Sequence, residues 1–159
     1  MFVDKDHSVY VADTFNNRVM KWMKDANEGI LIAPGQVSNK NPDTLLQPAG
    51  VIVDHIGNIY VSNGESHQIT RWSPGELEGT SVVGEKQRGS GPTQLTHPYD
   101  LSFDKQGNLY VVDRGNHRIQ NGYVHRGRYD ELINKDPIHK LKKPYITEYG
   151  GKIKYSYKQ

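Results

Sequence analysis

Carboxylates, histidines and arginines recur in this chain at a fixed interval, and these residue types commonly hold metals, move protons and bind anions. Asp4, Asp54 and Asp104 stand 50 residues apart. Asp13 and Asp113 keep one phase with Asn63 between them, and Arg18 and Arg118 follow the two aspartates by five residues. His67 and His117 are also in phase, and Asn17 fills their place in the first interval. Ligands converging from several repeats would hold a divalent ion. A carboxylate at a strand end would instead accept the N–H groups of the next turn and pair with the arginine beyond it. The second reading is preferred, because a residue that recurs in every repeat serves the repeat. Asp13, Asn16, Arg18 and Asn63 are accordingly read as a structural signature. His67, Asp113, Asn116, His117 and Arg118 complete it. No HExxH, G-x-S-x-G, Walker or G-x-G-x-x-G pattern occurs, and Gly89-Ser90-Gly91 lacks the strand-then-helix setting that phosphate binding requires. The sequence thus assigns no catalytic residue, no cofactor and no metal ligand.

The elements that position these residues follow from three segments that align without a gap: VYVADTFNNRVMKW (9–22), IYVSNGESHQITRW (59–72) and LYVVDRGNHRIQNG (109–122). Upstream, QPAGVIVDHIGN (47–58) matches HPYDLSFDKQGN (97–108), and FVDKDHS (2–8) is the end of the same pattern. Each unit reads as four short strands. In the second unit these are 51–54, 59–62, 68–72 and 80–83, with Gly57-Asn58 as a turn tolerant of positive φ. The first unit shows the same fourth strand at 29–33. A period of 50 residues with four strands per unit selects a β-propeller over a sandwich or barrel. The fold class expected is all-β, a partial propeller of two and a half to three blades over 1–120, followed by a tail outside the repeat.

Hydrophobic residues make up 35% and charged residues 24% of the chain, with a mean hydropathy of −0.76. That is lean for a globule but ordinary for short strands joined by long polar turns. Without cysteine, disulfides and thiolate chemistry are excluded while the compartment stays open. No apolar run approaches the ~20 residues of a membrane helix. The segment MFVDKDHSVYVAD lacks a leader's apolar stretch, so a soluble chain without its own signal peptide is expected. Nine Lys/Arg against four Asp/Glu lie in 121–159, leaving 11 against 14 in 1–120. A mildly acidic body therefore carries a basic tail.

Asn116-His117-Arg118-Ile119 after Leu109-Tyr110-Val111-Val112-Asp113 resembles the NHL-repeat family of β-propellers, and Asn16-Asn17-Arg18-Val19 is nearly as close. The middle unit departs most, with Asn63 for the aspartate and Ser66-His67-Gln68 for Asn-His-Arg. The resemblance covers 2–120. It implies a repeat fold without cofactor that binds protein, carbohydrate or RNA on one face of the disc. Propellers of the family it resembles occur in proteins similar to TRIM-type ubiquitin ligases, in bacterial sensor ectodomains and in repeat-only proteins. Related six-bladed propellers include lactone- and peptide-processing enzymes with a channel metal, which makes a metal-dependent enzyme the alternative.

The turn after each second strand varies while its flanks repeat, and so does the connector 85–96. In a propeller these loops share a face. Phe15, Arg88, Tyr99 and Arg114 are the expected partner contacts, since aromatic residues and arginine dominate binding hot spots. A non-enzymatic module binding a protein partner is expected, with RNA second and no membrane. Asn121-Gly122 stand where Trp22 and Trp72 would lead one to expect an apolar residue. The chain is read as part of a larger propeller, with self-association as the other way to cover its blade faces. The tail 121–159, holding six of ten tyrosines, is expected to be irregular.

Overall fold

The structure, a computed structural model, describes residues 1–35 and 45–122 in full, together with the backbone of two strands at 145–149 and 152–156. It comprises two compact units, Met1–Val124 and His125–Gln159. The first is an array of three antiparallel sheets in which strand order follows chain order. Sheet one contains β1 (Phe2–Val3), β2 (Val9–Asp13), β3 (Arg18–Trp22) and β4 (Ile30–Pro34). Sheet two contains β5 (Pro48–Val53), β6 (Ile59–Asn63), β7 (Gln68–Trp72) and β8 (Thr80–Val83). Sheet three contains β9 (Pro98–Phe103), β10 (Leu109–Asp113) and β11 (Arg118–Gly122). These are the blades of a partial β-propeller. The second unit carries the hairpin β12 (Tyr145–Tyr149) and β13 (Lys152–Ser156), in a region where the sequence suggested no regular structure. No α-helix occurs among the described residues, and so no helix there is long and apolar enough to cross a membrane.

Register repeats with the sequence. Val9 pairs with Trp22, Ile59 with Trp72 and Leu109 with Gly122. The third blade therefore keeps its pairing where the tryptophan is missing, because a strand ladder is made by backbone groups. The first turn of each blade has one construction. Asp54 takes the N–H groups of Ile56 and Asn58 on Oδ1 at 3.1 and 2.9 Å. Its Oδ2 accepts from Asn58 Nδ2 at 2.8 Å and from the Tyr60 hydroxyl at 3.3 Å. Asp4 with Tyr10 and Asp104 with Tyr110 repeat the tyrosine contact. The repeated aspartate and tyrosine, six residues apart, are one device that closes this turn.

Blades stack through their apolar faces. Tyr10, Val19 and Ala33 of the first blade pack with Val51, Ile59, Val61 and Trp72 of the second. Tyr60 and Ile69, from the opposite face of the second blade, pack with Leu101, Leu109 and Val111 of the third. The middle blade is thus covered on both sides, and every residue of β6 is buried. Two connector leucines, Leu45 and Leu95, are wholly buried and plug successive interfaces. Trp72 lies against Gly79, where a Cβ would come within 2.5 Å of the indole ring. Trp22 and Gly29 repeat that contact.

Candidate functional site

At the end of each second strand the chain makes a tight polar turn. In the first and third blades this is a single 3-10 turn, Thr14–Asn16 and Arg114–Asn116. The next residue, Asn17 or His117, is left-handed, with φ of 48° and 52°. His67 holds the corresponding place in the middle blade at φ 57°. Asparagine and histidine are among the non-glycine residues most tolerant of this region. The signature residues around the turn form a compact group. Asp13 accepts from Asn16 Nδ2 at 2.9 Å and from Arg18 Nε at 2.8 Å. Those contacts, Arg18 foremost, lower the Asp13 carboxyl below its ordinary value. Asp113 accepts from Asn116 at 2.7 Å and Arg118 at 2.8 Å, and takes the backbone N–H of Thr96 at 2.7 Å.

Arg118 and Asn116 extend this group to the connector. The Arg118 guanidinium donates to the carbonyls of Ser90, Gly91 and Gln94 at 2.8–2.9 Å, and Asn116 to that of Gly89 at 2.8 Å. The connector is thereby held against the turn of the blade it leads into. In the middle blade Asn63, completely buried, replaces the carboxylate and donates to the Thr70 hydroxyl at 2.7 Å. Aspartate, asparagine and arginine become Asn63, Ser66 and Gln68, so acid and base are exchanged together for neutral groups.

The residue after the turn hooks the next blade. Asn17 Oδ1 accepts the Gln47 N–H at 2.8 Å, and 50 residues later His67 Nδ1 accepts the His97 N–H at 3.2 Å. Gln47 and His97 both have positive φ, at 49° and 47°. The His67 ring meets that of His97 edge-on at 4.8 Å. Burial, then the nearby His97, lower the His67 pKa, with Glu65 opposing and Arg88 adding. A ring nitrogen that accepts a hydrogen bond is an unprotonated one. His67 is therefore a joint between blades. The sequence shows the 50-residue spacing of Asn17 and His67, but not the hydrogen bond to a residue 30 positions on.

Of the four expected contact residues, two are brought together and two stand apart. The Arg114 guanidinium lies over the Tyr99 ring at 5.6 Å, and both side chains are exposed. Tyr99 is fixed from below, its carbonyl accepting from the buried Ser62 hydroxyl at 3.0 Å. Arg88 is exposed on the connector and close enough to His67 to influence its charge. Phe15, 95% exposed, stands on the first blade's turn. An open recess of about 360 Å³ beside that turn is lined by Asn16, Arg18, Leu31 and Leu45 among others. Among the described residues no three His, Cys, Asp or Glu side chains are grouped to hold a metal.

The model of the NHL repeat family matches residues 95–120. A protein of unknown function from Bacteroides thetaiotaomicron superposes with a TM-score of 0.61 at 20% identity, over 76% of this chain and 33% of that one. Virginiamycin B lyase from Staphylococcus aureus gives 0.56 at 13% identity, over 78% and 38%. An auxiliary nutrient binding protein from Bacteroides thetaiotaomicron gives 0.54 at 16% identity, over 70% and 33%. No curated protein matches the chain. At these identities the likeness is one of fold, and the chain spans little more than a third of these structures. The third blade carries a match to the NHL repeat, and the two units before it are in register with it in a partial β-propeller.

Proposed function

We propose that this propeller segment is a non-enzymatic module that binds a protein partner through the face formed by its second-strand turns and connectors. The carrying observation is the Tyr99–Arg114 pair, an exposed aromatic under a guanidinium on a fixed base. Such a pair offers contact area and charge at little entropic cost, because the surrounding hydrogen bonds hold its backbone. The recurring aspartates already have structural work: Asp4, Asp54 and Asp104 close turns, and Asp13 and Asp113 bind arginine. That supports binding over a channel-metal enzyme such as a lactonase or lyase. The acidic balance of 1–120 supports a protein partner over RNA, which needs a basic face to meet phosphates.

A photo-crosslinking residue placed at Phe15, Tyr99 or, as a control on the opposite turns, Ile56 tests this in cells of the source organism. Discrete protein adducts from 15 and 99, absent from 56 and reduced by Arg114→Ala, are expected. Nuclease-sensitive adducts would assign the face to RNA. Equal labelling from 56 would overturn the choice of face.

A further inference from the structure

Tyr99 of the binding pair is tied to the second blade at two points. Its carbonyl accepts from the buried Ser62 hydroxyl, whose oxygen in turn accepts the Gly50 N–H at 2.8 Å. Two residues earlier, the His97 N–H donates to His67 Nδ1. Pro98, buried and fixed in φ, stands between them, so a displacement at His97 is passed on to Tyr99. Both ties break the repeat. Ser62 stands where the other blades have Ala12 and Val112, and Tyr99 where the second blade has Ala49. The joint that Asn17 makes in the first blade with a side chain that does not titrate is made under Tyr99 by an imidazole.

An imidazole nitrogen accepts a hydrogen bond only while it carries no proton. A proton on Nδ1 of His67 would leave two donors face to face at this joint. We propose that the contact between His67 and His97 is a pH-sensitive latch on the binding face. Closed, with the ring neutral, it holds Tyr99 under Arg114; opened by a proton, it frees the start of β9 and weakens partner binding. This rests on the protein-binding reading of that face. Among the described residues, the groups acting on the ring are Glu65 on its own turn, and Arg88 and His97 on the connector. Burial, His97 and Arg88 oppose the charged ring, while Glu65 and a backbone contact at Gly64 favour it. The balance lowers the ring from its ordinary value of 6.5, so the latch is closed at neutral pH and opens in acid.

The test follows two signals in the full chain from about pH 7.5 to about pH 4.5, wide enough to carry a histidine through its titration. The first needs no partner: magnetic resonance of the His97 amide and the His67 ring. Protection of that amide from hydrogen exchange, corrected for the intrinsic effect of pH, is expected to fall as the ring takes its proton. It is expected to stay level in His67→Asn. The second is the yield, in cell extract set to each pH, of the protein adduct from a photo-crosslinking residue at 99. A fall of about fivefold is expected, the factor one hydrogen bond supplies, and His67→Asn should abolish it. Ser62→Ala should lower the yield at every pH and leave the shape of the profile unchanged. An amide whose protection ignores the ring's titration overturns the latch. A yield that stays level while the amide is released, or that falls equally in His67→Asn, overturns the latch's hold on the face and leaves the binding reading standing. No adduct at any pH overturns the binding reading itself, and the latch's role with it.

Discussion

Asp113 and Asp13 occupy the same place in the repeat but differ in surroundings, and their substitutions should differ accordingly. The Asp113 side chain is fully buried while its partner Arg118 is 31% exposed; for Asp13 and Arg18 the figures are 28% and 45%. Asp113→Ala leaves Thr96 N–H and a half-buried guanidinium without their acceptor. A loss of about 2–3 kcal/mol is expected, below the usual cost of breaking a buried pair because Arg118 reaches water. Asp13→Ala should cost clearly less, and urea melts of both variants check the order. Asn63 makes the complementary case: Asn63→Asp buries a carboxylate with no arginine beside it, and adding Gln68→Arg should recover much of the loss. A double-mutant cycle showing no coupling would refute that pairing. His67 supplies a pH dependence. Its folded pKa lies below the ordinary value of 6.5, so its contribution is complete above the unfolded pKa and fades as pH falls through the folded one. Asp13 and Asp104 also have lowered values, chiefly through Arg18 and Asn108, but their contributions fade only below 3.8. His67→Asn should keep the hook, since Asn17 performs it in the first blade, and should remove the loss that sets in as pH falls below 6.5. His67→Ala should cost about 1 kcal/mol at pH 8.

At the scale of strands and turns, the tryptophan–glycine contact is the least tolerant feature. Trp72 is wholly buried and its ring has nowhere to move, so Gly79→Ala should cost about 1–3 kcal/mol by overpacking. Gly29→Ala meets the half-exposed Trp22, which can give way, and should cost less in the same thermal melts. The strands were legible in the sequence because aliphatic-Tyr-Val runs recur every 50 residues, and β7 and β8 fall where that pattern puts them. The connector leucines were not, since Leu45 and Leu95 sit in polar stretches and acquire meaning only when two blades close on them. The candidate face was readable only in part. Arg114 and Tyr99 were each named singly as contacts, but a contact between side chains 15 positions apart depends on how β9 and β10 pair. The hook from His67 to His97 was hidden for the same reason.

For the molecule as a whole, the blade faces inside the described array are covered by their neighbours. The same economy of cover governs the connector. Lys86 and Arg88 lie on an exposed loop, where trypsin would be expected to cut first. A protease accepts its substrate as an extended strand, and Gly89 just after Arg88 is tied on both sides: its N–H to the Leu95 carbonyl, its own carbonyl to Asn116 and Thr96. To be cut, that bond must first be peeled from Asn116, and its neighbours from Arg118. The Arg88–Gly89 bond should therefore outlast other exposed basic sites under trypsin, and Arg118→Ala should make it the first to go.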